Sequence, residues 1–572
     1  MAETSYPREQ MHRIAYTKLT PEQIDDKLRA AADGPASASP LSNVLAGREL
    51  RILTDDGPEL RYRFDNENRL SLQENGAAAV DAGYGALTID DIVLFSHMVP
   101  GTQRGYHVVI DDDTNLVTLF EVWFSGYEDN REVQRQAYFG YVEQPGQAAP
   151  EARHQLTNRA EGKGYYWKQD TGAESLEFYP STIYSNFVDL SRFGGELGFC
   201  APSDYIQIND EVYVYQRTEC EFSGTQTIYA FDVNRVEQIG ARLGFDENDD
   251  LEYYVFRGTG EWLGQLAKFE RFGDIGENLQ NGPDEKGARR VYRPMDTFRT
   301  FTRAEFDRVA AETEPTVFPP GRGGMSGNKQ QISDYLVGRQ MMVRYDHGPT
   351  IEYRFDEIQS LHWRREGQSN WITARYEAWE SAPDLVMFGH LLEGEPDHDC
   401  HMVVADFEHG LASCLHGTMG SEYIGNEAQV ENLFGVIEME GLQAPQYRRH
   451  QFTDELVGKA LTWNYDRESG LTSMHLYTTP HSLSWIIFGQ DGAGGMEWSG
   501  PAAYVKIRDG IYLGYWLEEA CNGTLGTILI NMNTMHDCGA GYHGGADGVR
   551  LTAVGAHSRH AGQFNVRKFF QL

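Results

Sequence analysis

The stretch IYLGYWLEEACNGTLGTILINM, residues 511–532, decides the fold class. It reads as two β-strands joined by the polar turn EACNGT. Along the first strand Tyr512, Gly514, Trp516 and Glu518 fall on one face, and Ile511, Leu513, Tyr515 and Leu517 on the other. A carboxylate sharing a face with a tyrosine and a tryptophan marks either a solvated outer surface or a charged group inside an aromatic cavity.

The same pattern recurs through internal repeats. LAGRELRILTDDGPELRYRFDNENRLSL (45–72) matches LVGRQMMVRYDHGPTIEYRFDEIQSLHW (336–363), and DIVLFSH (91–97) matches DLVMFGH (384–390). YIQINDEVYVYQRTECEFSGT (205–225) matches the stretch from Tyr504 to Thr524, so Glu219 falls on Glu518, and VNRVEQIGA (233–241) falls on MNTMHDCGA (532–540). Thr20 and Thr302 each open a helix-capping box, with Gln23 and Glu305 three residues on. The chain therefore reads as a duplication. Proline- and glycine-bearing linkers at 143–150 and 441–450 divide each copy again, and Gly-Lys at 162–163 and 458–459 echoes Gly-Arg at 47–48 and 338–339. Expected segments are a helical leader (1–40), barrels at 41–142, 151–274, 333–437 and 451–572, and a linker with helix at 275–332. Short alternating strands at regular spacing indicate small antiparallel barrels in each.

Composition narrows the classes. A formal charge of −36 and pI near 4.8 argue against nucleic acid and anionic membrane surfaces. No apolar run approaches the length that spans a bilayer, and the N-terminus lacks a signal-peptide core. The six cysteines have no CxxC spacing, so a reduced cytoplasmic setting is expected. No phosphate loop, dinucleotide fingerprint or serine elbow is present.

LVGKALTWNYD (456–466) followed by IYLGYWLEE (511–519) resembles the lipocalin-like family of phenolic acid decarboxylases and molybdenum cofactor biosynthesis protein F. The resemblance implies an all-β fold: four lipocalin-like antiparallel β-barrels in two tandem pairs, with a short helix opening each half. It also implies a tyrosine pair on the first strand, an arginine, and a glutamate in a Trp-x-Glu strand. Tyr465 matches the second tyrosine, Trp463 stands at the first, and Trp516-Leu517-Glu518 matches the last motif. The arginine position falls at Glu497, beside Trp498.

Glu518 is accordingly the first catalytic candidate. In the first copy Arg217 lies two residues from Glu219 on one face, a natural ion pair, and Trp516 replaces that arginine in the second. Fourteen of the 18 histidines lie at or after His347. His475 aligns with Glu177 and His536 with Glu237, so both are candidate acid–base partners of Glu518, with Tyr542 and His543 following on the strand after His536. Tyr465, Tyr477 and Tyr512 would orient a hydroxyl or carbonyl, and Trp463, Trp498 and Trp516 would form apolar walls. In the odd-numbered barrels His97 and His107 recur as His390 and His401, candidate lumen residues. With His398, Asp399, Cys400 and His416 the region holds metal-ligand types, but no metal-binding spacing, and no metal or cofactor is expected.

The expected activity is a cofactor-independent lyase or isomerase of secondary metabolism, acting on a small aromatic or polyketide-like molecule. The alternative is a non-catalytic carrier of a small apolar ligand. No nucleic-acid or membrane partner is expected, and a homodimer stays open.

Overall fold

The computed structural model describes residues 19–570 other than 125–130, 220–223, 247, 268–301, 313–315, 319–324, 394–397, 421–424, 426, 467–470, 490–496, 519–522 and 546–547. The turn EACNGT, Cys220, Cys521 and much of the 275–332 linker thus fall mostly outside them. Cys200, Cys400, Cys414 and Cys538 are buried free thiols.

Two α-helices lie among the described residues, α1 (Pro21–Ala30) and α2 (Arg303–Glu312). Each opens on its capping box. Gln23 N donates to Thr20 Oγ1 (3.3 Å) and Thr20 N to Gln23 Oε1 (2.8 Å). The Glu305 N to Thr302 Oγ1 and Thr302 N to Glu305 Oε2 bonds are 3.3 and 3.0 Å. These pairs satisfy donors that the helix geometry leaves open. No described helix is long and apolar enough to cross a membrane.

The rest is mainly antiparallel β-structure, with short parallel pairings of Ala36–Ser37 and Thr316–Val317, in two compact units, one built mainly from residues 7–293 and the other from 294–572. Eight-strand barrels close over 49–142 and over 340–438. A third closes over 459–564, where Lys459–Asn464 pairs with the last strand, His557–Phe564. That strand continues Gly548–Val554 after a break at 555–556, and His557 bridges to His536. Three of the expected four barrels are thus closed. In 163–266 the strand order is the same and the first strand, Lys163–Gln169, pairs with the last, Leu251–Leu266. Tyr184–Asp189 and Gly198–Gln207 meet there through Ser203 N donating to Ile183 O, at 2.7 Å.

The recurring glycine before each first strand has a backbone cause. Gly47, Gly162, Gly338 and Gly458 have φ of 78°, 82°, 79° and 84°, the left-handed region that side chains disfavour. Each then donates its N–H across the sheet, to Phe64 O, Tyr179 O, Phe355 O and Tyr477 O respectively, at 2.7–2.8 Å. The sequence echo is the same turn made four times.

Within the second unit the 340–438 and 459–564 barrels share an apolar core. Met387, Met402, Val404 and Leu415 of one pack with Leu513, Leu525, Leu529 and Leu551 of the other. Each such side chain contributes roughly 1.5–3 kcal/mol on burial. This contact fixes polarity. In the strand Ile511–Glu518 the odd-numbered residues face the neighbouring barrel, so the even-numbered ones face the lumen.

Candidate functional site in the 459–564 barrel

The ladders extend this alternation around the barrel. Trp516 stands opposite Ala502 and Gly526, and Tyr512 opposite Lys506 and Ile530. Leu461 is opposite His475, His475 opposite Trp485, and Trp485 opposite Trp498. Directly opposed residues share a face, so Trp463, His475, Tyr477, Trp485, Trp498, Tyr504, Trp516 and Glu518 line one lumen. The face assigned to Glu518 from alternation is the lumen face.

Glu518 ends its strand partly exposed and accepts a hydrogen bond from Trp516 Nε1 at 2.6 Å. The Trp516 ring meets His475 edge-on with centroids 5.2 Å apart, and Trp463 lies 5.8 Å from the same imidazole. His475 is buried, and burial pushes its pKa down to about 3, so the imidazole is neutral. Its Nδ1, with Nε1 of Trp485 and of Trp498, has no hydrogen-bond partner among the described residues. Buried donors left this way cost free energy unless something enters to meet them.

Tyr465 and Tyr477 are also buried, and their hydroxyls are pushed far above their ordinary pKa by burial and then by Asp537. Asp537 is fully buried, and burial raises its carboxyl to about 8. Ala556 N donates to its Oδ1, while Oδ2 has no partner among the described residues. This acid was missed by sequence reasoning because its neighbour drew attention. His536 and Asp537 are adjacent, so only one can face inward, and the ladder settles which: Asp537 pairs with Ile530, on the lumen face. The alternation of Asp537-Cys538-Gly539 was the available signal, with Gln238 at the equivalent position of the first copy.

Three expected residues are therefore placed differently. His536 faces away from the lumen, stacked on His557 at 4.3 Å, with Asn328 O 2.9 Å from its Nε2. Tyr542 belongs to the apolar core against the 340–438 barrel, and its hydroxyl donates to His398 O at 3.2 Å. Neither can serve Glu518. Tyr512 is on the lumen face, but its hydroxyl donates to Glu455 Oε2 (2.6 Å), beside the Lys506–Glu455 ion pair. Glu497, the family arginine's position, has the opposite parity from Trp498, whereas Arg550 stands opposite His543 with lumen parity. Glu518, Thr524, His543 and Arg550 are all partly exposed and occupy one end of the barrel.

His390 and His401 lie in the other barrel of this unit, buried and directly opposed, and His401 is opposed in turn to His416. Ring centroids step 5.7 and 5.2 Å along this row. Tyr353 OH lies 3.1 Å from His401 Nδ1, and Asp399 Oδ2 lies 3.0 Å from His416 Nε2. Burial lowers His390 to about 4. The first copy does not repeat this row as the sequence offset suggested. Opposite His97 stands Tyr106, then Glu121, while His107 is on the other face, 2.9 Å from Ser96 Oγ. The spacing shifts by one residue between strands, which exchanges faces. Among the described residues no group of three or more His, Cys, Asp or Glu is arranged to hold a metal ion.

Residues 322–421 match the MoaF N-terminal domain, and residues 450–564 match the MoaF C-terminal domain. The second half of the chain is thus MoaF-like, and the candidate lumen lies in its C-terminal domain. No curated protein matches the chain.

Proposed function

We propose that the 459–564 lumen is an acid–base site, and that the chain is a cofactor-independent lyase or isomerase acting on a small aromatic or polyketide-like molecule. The observation that carries this reading is Asp537, a fully buried carboxyl on the lumen face, raised to about 8, whose charge acts on the buried hydroxyls of Tyr465 and Tyr477. A carboxyl poised there exists in both protonation states near neutral pH, which is what a general acid or base requires. The tyrosines would orient a substrate oxygen, and the neutral His475 would offer a hydrogen bond midway along the lumen. Glu518, held by Trp516, and Arg550 would meet polar groups at the open end. Proton transfer by one placed group supplies about 10²–10⁴-fold, and orientation between the indoles would supply more. We read 163–266 as a fourth barrel, completing two tandem pairs.

The carrier reading is favoured by the Trp485 and Trp498 N–H groups, which have no partner among the described residues and would bind an acceptor without chemistry. The two separate in one experiment on the full-length chain. Native mass spectrometry identifies any co-purified organic molecule; that compound, or 4-hydroxycinnamate as probe, is incubated in D2O and followed by NMR. Deuterium incorporation or bond cleavage that falls at least 10²-fold in Asp537→Asn, with binding retained, supports the enzyme. Binding with no exchange in the unaltered protein sinks it in favour of the carrier.

A further inference from the structure

The 163–266 sheet holds a second cavity, of about 670 Å³, of a different character. That volume suits a drug-sized molecule. Phe187, Tyr229, Tyr254 and Phe256 contribute its aromatic wall, and the strand Ala36–Ser37, paired in parallel with Tyr254 and Val255, brings Ala38 to the lining.

Its polar side is a ladder of charges, buried at Glu177, Arg217, Glu219 and Arg242 and partly exposed at Glu252 and Arg192. Glu177 takes Arg217 Nη1 on both oxygens at 2.7 and 2.6 Å, and Arg217 reaches Glu219 at 3.2 Å. Arg242 spans Glu219 (2.8 and 3.1 Å) and Glu252 (2.7 Å), and Arg192 lies 3.8 Å from Glu252. Arg217 also lies over Phe187, 3.7 Å from its centroid. Three guanidiniums thus meet three carboxylates, and burial disfavours the charge of Asp189, a further wall acid. Glu174, near the rim, is paired with Lys168.

The sequence explains why only this copy has the ladder. At the equivalent positions of the 459–564 barrel, Glu177, Arg217, Arg242 and Glu252 become His475, Trp516, Gly541 and Arg550. Glu219 alone is kept, as Glu518. Duplication therefore left one lumen with indole and imidazole groups that have no partner among the described residues, and another in which the charges are paired.

We propose that this cavity binds an uncharged aromatic molecule that carries hydrogen-bond donors and acceptors on its ring or substituents. The aromatic wall takes the ring face, and the ladder offers carboxylate acceptors and guanidinium donors at close spacing. A net charge on the ligand is selected against. Each guanidinium is already engaged by carboxylates, so an anion must displace one of them, and a cation must enter beside paired arginines. Either leaves an uncompensated charge in a poorly solvated site. This site is separate from the acid–base lumen, and its occupancy does not depend on any reaction there.

The test uses the full-length chain and three probes of one size: nicotinamide (uncharged), benzoate (anion) and benzylamine (cation). Saturation-transfer NMR titrations measure each affinity. Nicotinamide is expected to bind at least tenfold more tightly than either ion, and its signal to vanish in Ala38→Trp, which fills the mouth from an exposed position. Glu219→Gln unbalances the ladder by one positive charge and should shift preference to benzoate by about tenfold. Thermal unfolding checks that both variants fold, and Ala38→Trp keeps the test standing if Glu219→Gln does not. Benzoate or benzylamine binding the unaltered protein as tightly as nicotinamide would overturn the proposal. So would a nicotinamide signal that survives Ala38→Trp, or no binding by any probe.

Discussion

Replacing Asp537 by Asn should stabilise this protein at neutral pH, a reversal of the usual effect of altering a buried polar residue. The carboxyl titrates near 3.8 in an unfolded chain and near 8 here, because burial penalises its charged form. The folded state thus holds a proton that the unfolded state releases between those values. Stability is full below the unfolded pKa and falls as pH rises toward the folded one, by about 1.4 kcal/mol per pH unit. Over the roughly three units from 3.8 to 7 the loss is about 4 kcal/mol. Asn keeps the shape and an oxygen for Ala556 N but cannot ionise. Asp537→Asn should therefore gain on the order of 3–4 kcal/mol at pH 7 and almost nothing at pH 4. The assay is hydrogen exchange by mass spectrometry on peptides from the 459–564 strands, at pH 5 and 8, because a multi-domain chain has no single unfolding free energy. Opening free energies should fall from pH 5 to 8 in the unaltered protein and stay level in the variant. A variant with the same pH slope, or one destabilised at both pH values, would mean that Asp537 is ionised and compensated, and the acid–base reading would lose its support.

Two further outcomes test the fold. Gly458→Ala and Gly338→Ala both force a side chain into left-handed backbone, about 1–2 kcal/mol each, but a Cβ at 458 would also stand 2.3 Å from Phe564 O while at 338 it meets open space. Thermal unfolding should show Gly458→Ala as clearly the worse of the two; equal losses would refute the assigned closure of the 459–564 barrel on its last strand. Asp406, fully buried between the barrels, accepts from Arg508 (2.7 Å) and lies 2.8 Å from His409 Nδ1. Burial alone would raise it, yet hydrogen bonds from His450, Arg508 and His409 hold it below the usual carboxylate range. Arg508→Met should cost about 3–5 kcal/mol above pH 4, shrinking as falling pH protonates the acid, and Asp406→Asn with Arg508→Met should recover most of it. A double variant as unstable as the single would show that the pair is not what Arg508 contributes.

The sequence alone determined what depends on local pattern. Alternation over 511–518 gave the strand and the shared face of Tyr512, Trp516 and Glu518. The Thr20 and Thr302 boxes set the helix starts, and the four Gly-Lys and Gly-Arg turns carried the repeat, because each is a backbone requirement that only glycine meets cheaply. The Arg217–Glu219 contact was also readable from spacing two along a strand. Tertiary structure decided everything that depends on which strand lies beside which. Parity relative to the neighbouring barrel turned Tyr542 outward into the core and His536 away from the lumen, and brought Asp537 in. The one-residue shift between strands put Tyr106, not His107, in the place of His401. Glu177 was found as the bidentate partner of Arg217 only across an intervening fold of chain. A period-two pattern fixes two faces but not which is inside, and only burial against a neighbour breaks that symmetry.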